Sequence, residues 1–196
     1  MKVSDDGTVM YTRERLEISL RPMTDEELNR QFAAESQAGK KSTNPYTFGN
    51  WKDLVTKTTP NRFTVFLVKV KNYTYPKIKI DPGKMLLVAS NGRQYSSLSF
   101  SDLLEYYHPY VEGYTGNAYE IFETRKDILQ KTLYPGGVVF SGQEQQGYLL
   151  FPPLHEDVEQ IIVELKDVAL RFNVWGEPTE MVNLSYRFWR EIGRLN

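Results

Sequence analysis

The chain has 196 residues, of which 40% are hydrophobic and 25% charged, an ordinary composition for a folded globular protein. Its 24 Lys and Arg residues nearly balance 25 Asp and Glu residues, so no broad positive field favours nucleic acid or anionic lipid. Cysteine is absent, which excludes disulfides, thiolate catalysis and cysteine-based zinc sites within this chain. Two histidines, His108 and His155, are too few for a metal centre built from several histidines, and we expect neither a metal nor a cofactor.

No apolar run approaches the roughly 20 residues of a membrane-spanning helix, and no secretory leader is visible at the start of the chain. Residues 1–7 fit either a native cytosolic terminus or a mature secreted chain whose leader has been replaced by Met. In the second case, a lipid-anchored cysteine would lie upstream of this sequence.

The N-terminal third predicts a strand, a short helix and an aromatic loop. Apolar and polar residues alternate over 16–20, which is typical of a strand with one buried face. Thr24 and Glu27 have the spacing of a capping box, which opens a helix that ends near Gly39. Residues 40–61 are rich in polar residues and Pro but include three aromatic residues, so we expect this loop to pack on the body of the protein through its rings.

The strongest strand signal is the run of β-branched and aromatic residues at 63–72. Phe66, Val68 and Val70 share one face of this strand, while Val65 and Leu67 lie on the other. We therefore expect a central strand that is covered on both faces.

Residues 77–98 predict a β-meander of short strands. Two turns divide it: Asp81-Pro82-Gly83 and Asn91-Gly92, of which the second is a strong hairpin signal. Residues 99–134 then predict two helices. Ser99 or Ser101 is placed to cap the first helix, which we expect Pro109 to end, and Asn117 is placed to cap the second.

The β pattern returns at 138–140, 147–151, 160–173 and 180–191. In the third of these segments the apolar face changes phase, which predicts a bulge or a turn near Asp167.

These patterns predict a mainly β fold, an antiparallel immunoglobulin-like β-sandwich of about eight strands with two or three peripheral helices. No linker is long enough to divide the chain, so residues 1–196 are expected to form one domain. Residues 1–61 would supply its N-terminal strand, helix and aromatic loop. Residues 62–192 would form the sandwich, with 99–134 as a helical insertion.

Residues 60–172 also resemble an immunoglobulin-like domain of bacterial extracytoplasmic proteins, often described only as lipoproteins of unknown function. The resemblance depends on the strand at 63–72, the Ile80-Asp81-Pro82 strand end, the stretch 92–95, and 142–151 with its Gly-Tyr-Leu-Leu-Phe core. It implies a location in the cell envelope, in the periplasm or at the outer membrane, and a structural or binding role. It supplies no catalytic residues.

Few residues form a constellation that suggests chemistry. In the run His155-Glu156-Asp157, consecutive residues of an extended chain point to opposite sides, so a solvated loop is the simpler interpretation. His108 precedes Pro109 at the expected end of a helix, where a positive charge favours the helix dipole. A hydrolase would need a site assembled from distant residues such as Asp81, His155 and Glu164, and it is the least favoured function.

Five tyrosines between residues 106 and 119 are the most distinctive cluster. Exposed rings with hydroxyl groups suit a protein interface or stacking on sugars, and buried rings would instead pack the helices on the sandwich. We expect a non-catalytic domain that docks on another protein of the cell envelope, with a carbohydrate-binding module as the alternative. The predicted interface residues are Tyr106, Tyr107, Tyr110, Tyr114, Tyr119, Tyr46, Phe48 and Trp51.

Overall fold

The computed structural model describes residues 1–112, 117–155 and 157–189, with the backbone alone for 110–112. Within them, the chain is mainly β, with eleven strands and three α-helices. The strands are β1 (Lys2–Val3), β2 (Val9–Arg13), β3 (Leu16–Met23), β4 (Thr64–Asn72), β5 (Lys77–Ile80), β6 (Met85–Ala89), β7 (Gln94–Ser96), β8 (Gly137–Phe140), β9 (Gln143–Phe151), β10 (Gln160–Phe172) and β11 (Pro178–Trp189). The helices are α1 (Asp25–Gln31), α2 (Phe100–Glu112) and α3 (Ala118–Thr132).

The strands form two antiparallel sheets, as the mainly β prediction requires. The first sheet has the order β1-β2-β3-β4-β9. In the second, the order is β7-β6-β10-β5-β8, and β11 pairs with β10 alone. Val163 of β10 faces Leu87 of β6 on one side and Tyr186 of β11 on the other, so β11 lies along the edge of β10 opposite to β6.

The two sheets face each other and enclose the main core. Side chains of β3 and β4 meet side chains of β10 and β11: Phe66 lies 5.1 Å from Phe188 between ring centroids, and the Tyr186 hydroxyl donates to the Ile18 carbonyl at 2.9 Å. This arrangement is a β-sandwich, in which apolar residues of both inner faces are removed from water together.

A second core lies on the outer face of the first sheet. The face of β4 and β9 that points away from the sandwich carries Val65 and Leu150, which are buried against residues of all three helices. The prediction that β4 is covered on both faces is therefore confirmed. The helices are attached outside the sandwich, as expected, and they form a third layer with an apolar core of its own. The helical residues at its centre are Leu28, Leu103, Tyr107 and Leu129.

The start of each of the first two helices follows the sequence signals. The Thr24 hydroxyl accepts from the Glu27 amide at 3.2 Å and the Glu27 carboxylate accepts from the Thr24 amide at 3.0 Å, which confirms the capping box. Ser99 forms the same reciprocal pair with Asp102 at the start of α2. Asn117 occupies the N-cap position of α3, although its side chain makes no capping hydrogen bond.

The ends of the first two helices differ from the predictions. α1 ends at Gln31, well before Gly39, because Phe32 leaves the helical region and turns its ring into the second core. α2 continues through Pro109 to Glu112. Proline removes one helical hydrogen bond and crowds the carbonyl four residues earlier, and packing of α2 on the sheet outweighs this cost.

The predicted meander over 77–98 is correct only in its second half. β6 and β7 form a hairpin that turns at Asn91-Gly92, and Gly92 has a positive φ of +83°. β5 and β6 instead lie end to end along one edge of β10. The Asp81 carboxylate accepts from the Gly83 amide at 2.9 Å and holds a single 3-10 turn, which steps the chain sideways without reversing it.

The predicted bulge near Asp167 is confirmed. The register between β10 and β11 shifts between Leu165 and Val168, and Asp167 adopts a positive φ of 55°. The Asn183 side chain accepts from the Asp167 amide at 2.9 Å, so the extra residue keeps a hydrogen-bond partner. The strand count exceeds the expected eight because β1 and β2 precede residues 16–20, where the first strand was predicted.

Gly147 of β9 marks the closest approach between the sandwich and the end of α3. A Cβ at this position would lie 2.5 Å from the backbone nitrogen of Tyr134, which donates to the Tyr148 carbonyl at 2.9 Å. We expect Gly147→Ala to lower the free energy of unfolding by about 3 kcal/mol, since backbone must move to admit the methyl group. Chemical denaturation measures the change.

Gly142→Ala is the matched control for this substitution. Gly142 has a positive φ of +82° but nothing within 4 Å of its Cβ position, so only backbone strain of about 1 kcal/mol is expected. Equal losses for the two variants would contradict a steric role for Gly147.

Candidate functional site

The structure brings the aromatic loop and α2 together through one buried residue, Arg62. The Arg62 guanidinium carbon lies 4.1 Å from the centroid of the Phe48 ring and 5.5 Å from that of Tyr107. Phe48 in turn lies 5.7 Å from Trp51 between ring centroids. On the helix, the Tyr107 ring contacts Tyr106 at 4.9 Å. A continuous series of aromatic rings and one guanidinium therefore joins the two predicted regions.

Arg62 also joins the loop to the helix by hydrogen bonds. Its Nη1 donates to the Tyr107 hydroxyl at 2.9 Å and to the Asn44 carbonyl at 3.4 Å, and the Tyr107 hydroxyl donates to the Pro45 carbonyl at 2.6 Å. Only 4% of Arg62 is exposed. Burying a guanidinium costs free energy for every N–H group left without an acceptor, and the Arg62 Nε has no acceptor among the described residues. The burial of Arg62 therefore depends on the Asn44 carbonyl and the Tyr107 hydroxyl.

A second buried arginine binds the same loop from α3. The Nη2 of Arg125 donates to the Ser42 carbonyl at 2.6 Å, and its guanidinium carbon lies 4.8 Å from the centroid of the Tyr107 ring. Two guanidinium groups, those of Arg62 and Arg125, therefore lie near the Tyr107 ring. Arginine stacks well on aromatic faces because its charge is delocalised over a plane, which favours this arrangement at a partly desolvated site.

The loop has its own internal scaffold of hydrogen bonds. Asn44 is buried; its side-chain oxygen accepts from the Tyr46 amide at 2.9 Å, and its side-chain nitrogen donates to the Ser36 hydroxyl at 2.9 Å. Gly49 has a positive φ of +60°, and a Cβ there would lie 2.4 Å from the Ser36 carbonyl oxygen. Residues 36–50 are therefore held in one conformation, as the packing prediction for this loop requires.

Asp25, in the first turn of α1, is the carboxylate that interacts with the charge of Arg62. Burial raises the pKa of Asp25 to about 6, and the positive charge of Arg62 opposes part of that rise. Its Oδ2 has no hydrogen-bond partner among the described residues. Desolvation dominates because the carboxylate lies beside the second core without the donors that usually stabilise a buried negative charge.

The predicted interface residues fall into three groups. Tyr46 and Tyr107 are buried in the second core and belong to packing. Phe48 and Trp51 are half-buried, while Tyr106 is 37% exposed and Tyr119 is 66% exposed. The side chains of Tyr110 and Tyr114 lie outside the described residues.

The aromatic rings of this region, both buried and partly exposed, meet at steep angles. The planes of Phe48 and Trp51 are inclined by 60°, those of Tyr106 and Tyr107 by 86°, and those of Tyr106 and Phe63 by 62°. A sugar-stacking platform instead requires rings that are nearly coplanar. The geometry resembles the edge-to-face packing of a protein core that continues to the surface.

The residues considered for hydrolysis are placed in separate local structures. The Asp81 carboxylate holds the 3-10 turn described above, and the Glu164 carboxylate pairs with Lys166 at 3.4 Å on its own strand. His155 lies in the segment between β9 and β10, where its carbonyl accepts from the Val158 amide at 3.3 Å, and Asp157 of the same segment pairs with Arg93 at 3.2 Å. Within the described residues, no three His, Asp or Glu side chains are grouped so as to hold a metal ion.

A cavity of about 300 Å³ lies between the turn at Pro82 and the end of α3. Its lining is largely apolar and includes Leu98, Leu133 and Leu149. The Ser97 hydroxyl at its wall donates to the Pro82 carbonyl at 2.6 Å, so this group is already engaged. The cavity offers volume and apolar surface with few directional groups for a ligand.

Comparison of the chain with protein-family models, with curated proteins and with solved structures gave no match. Among the helices in the described part of the chain, none combines the length and the apolar character that crossing a membrane requires.

Sequence reasoning missed the two residues that organise this site. Arg62 and Asn44 are polar residues in a polar loop, and no periodic pattern distinguishes them from solvated neighbours. It also missed the tip of the β10–β11 hairpin, where Val174 and Trp175 are almost fully exposed. The signal for this turn is the short apolar pair between Asn173 and Gly176.

Removal of the Tyr107 hydroxyl tests the network around Arg62. We expect Tyr107→Phe to lower the free energy of unfolding by about 1–3 kcal/mol, because the ring remains while the Pro45 carbonyl and an Arg62 N–H lose their partner. Tyr119→Phe, at an exposed position on α3, is the control and should change stability little. Urea denaturation of wild type, Tyr107→Phe and Tyr119→Phe measures the two changes in stability. Equal stability of Tyr107→Phe and wild type would contradict the network.

The raised pKa of Asp25 predicts a pH-dependent stability. Between about pH 4 and pH 6 the folded protein holds a proton on Asp25 that the unfolded chain releases, so this group's contribution to stability falls as pH rises through that range. Asn does not titrate, so the Asp25→Asn variant does not lose this stability as pH rises. We expect the stability of Asp25→Asn relative to wild type to rise by about 2 kcal/mol from pH 4 to pH 7. Glu26→Gln, at an exposed neighbour, is the control; a pH-independent difference for Asp25→Asn would refute the assignment.

Proposed function

We propose that this chain is a non-catalytic interaction domain that docks on another protein through Phe48, Trp51 and Tyr106, here called the aromatic surface. The observation that carries the proposal is the buried Arg62–Tyr107 pair, which contacts Phe48 on one side and Tyr106 on the other. Partly exposed rings that pack on buried groups lose little side-chain freedom on binding, so more of their contact energy remains available for affinity.

The residue types at this surface are those that dominate binding energy in protein interfaces. Trp, Tyr and Arg are enriched among such residues because they combine a large apolar area with a polar group. The aromatic surface offers Trp51 and Tyr106, with the Lys40 ammonium 5.3 Å from the centroid of the Trp51 ring. This mixture of apolar area and one cation suits a protein partner with an apolar pocket and a nearby acidic group.

The loop after Trp51 extends the apolar area. Leu54 and Val55 are both exposed, although leucine and valine are usually buried. Their backbone is fixed by Asp53, whose carboxylate accepts from the Val55 amide at 2.8 Å and from the Thr56 amide at 2.9 Å. Two apolar side chains that point outward from an ordered turn indicate a docking surface, and they do not fit the interpretation of this loop as a flexible linker.

A place in the cell envelope, with an envelope protein as the partner, belongs to the same proposal. It depends on the resemblance of residues 60–172 to immunoglobulin-like envelope domains. The alternative of carbohydrate binding is disfavoured by the 60° inclination between the Phe48 and Trp51 rings of the aromatic surface.

Site-specific crosslinking tests the proposal. A photoreactive phenylalanine analogue at position 51, expressed in the native host, should form a covalent adduct with one discrete protein. Trp175 provides the matched control because it is an exposed tryptophan on the remote β10–β11 hairpin. We expect Tyr106→Ala to reduce the adduct at position 51 about tenfold or more, since loss of such a contact commonly costs more than 1 kcal/mol.

The crosslinking experiment requires two further measurements, the stability of the Tyr106→Ala variant and the set of adducts formed at the control position 175. Tyr106→Ala is expected to lower the unfolding midpoint, because the ring packs on Phe63 and Tyr107, so crosslinking is compared at a temperature at which both proteins are fully folded. The same set of adducts at positions 51 and 175, or no adduct at position 51, would refute docking through the aromatic surface. Crosslinking to saccharide in place of protein would favour the carbohydrate-binding alternative.

A further inference from the structure

The β11 strand leaves one long edge of the second sheet open. β11 runs for 12 residues and pairs with β10 on one side, and no strand in the described part of the chain pairs with its other side. The open edge presents a row of backbone N–H and C=O groups that can pair with another strand. Its length makes it the most extended template for strand addition in this fold.

The other sheet edges are short or covered. β1, β7 and β8 have 2, 3 and 4 residues, too few for extended pairing. The edge of β9 is longer, but the Leu98 amide donates to the Leu150 carbonyl at 2.8 Å and the Tyr134 amide donates to the Tyr148 carbonyl at 2.9 Å. Short or covered edges are a usual protection against unwanted pairing. β11 is long, and although Arg13 of β2 pairs with Glu180 near its start at 2.8 Å, no described strand pairs with residues 181–189 along this edge.

β11 also lacks the side chains that usually block strand addition. Its proline, Pro178, stands at the first position of the strand, where it does not interrupt the ladder. Between residues 181 and 189, Arg187 is the single charged residue. Two exposed apolar residues mark the ends of this stretch, Met181 at 55% and Trp189 at 76% exposure. An unguarded edge of this kind is typical of a strand that has a partner.

We propose that the partner is a second copy of this chain, bound by antiparallel pairing of β11 with β11 about a two-fold axis at Ser185. With the two-fold axis at residue 185, Ser185 of one copy lies opposite Ser185 of the other. A residue a given number of positions before 185 then lies opposite the residue the same number of positions after 185 in the second copy. Such a dimer would join the two second sheets into one continuous sheet.

The sequence of β11 is self-complementary in this register. On the exposed face, Met181 lies opposite Trp189 and Asn183 opposite Arg187, so apolar residues meet apolar ones and polar residues meet polar ones. On the inward face, the apolar residues Val182 and Leu184 lie opposite Phe188 and Tyr186. Directly opposed side chains of a sheet contact one another, and a thioether beside an indole is a favourable pair. This pattern selects a copy of the same strand over an unrelated peptide.

Charge at position 185 tests the proposal, because this exposed serine faces its own copy across the axis. Sedimentation velocity should find a concentration-dependent dimer for wild type. Ser185→Lys and Ser185→Glu should each weaken dimerisation by about tenfold or more, since like charges would lie directly opposite. An equimolar mixture of the two variants should regain the dimer, because opposite charges then face each other.

Ser96→Lys, an exposed serine changed in the same way on the short β7 edge, is the control and should dimerise like wild type. A wild-type protein that stays monomeric up to about 1 mM would overturn the proposal. Unchanged dimerisation of both Ser185 variants, or a mixture no better than either variant alone, would also overturn it. The test is independent of the aromatic surface, because Trp51→Ala and Tyr106→Ala should leave the dimer intact.

Discussion

β4 determines the architecture because it is apolar on both faces. Phe66 and Val68 are buried on one face of the strand, and Val65 and Leu67 on the other. A two-layer sandwich would bury only the first face and leave the apolar side chains of the second exposed to water. The second sheet covers one face and the three helices cover the other. The helical segments are thus a required third layer, whose apolar contacts are as much a part of the fold as those between the sheets.

The third layer also explains why polar groups are buried beside the aromatic surface. A loop of polar sequence must close the gap between α1 and β4, and its backbone carbonyls cannot all reach water. Arg62 and Arg125 donate to carbonyls of that loop and at the same time contact the Tyr107 ring. The exposed rings rest on this network, so the conformation of the proposed docking site depends on how completely the buried groups are satisfied.

Local signals predicted local structure well. The alternation in β4, the capping box at Thr24 and the change of phase at Asp167 each depend on a few neighbouring residues, and each is confirmed. The sequence could not place β5 and β6 end to end along β10, because that arrangement depends on a strand about 80 residues later. The sequence could not identify Arg62 either, because this arginine is stabilised by carbonyl groups and rings of residues distant in sequence, and no local spacing pattern indicates those contacts. Pro109 failed as a stop signal because packing outweighed a single lost hydrogen bond.

The two proposed surfaces belong to different layers and can therefore be occupied at the same time. The aromatic surface lies with the helical layer on the outer face of the first sheet, whereas the open edge of β11 belongs to the second sheet. A dimer formed through β11 would carry two copies of the aromatic surface related by the two-fold axis. Two weak contacts with a partner that repeats its own binding site would then reinforce each other, because the second contact forms at high effective concentration. Modest affinity at each aromatic surface is consequently compatible with stable docking on a repetitive assembly.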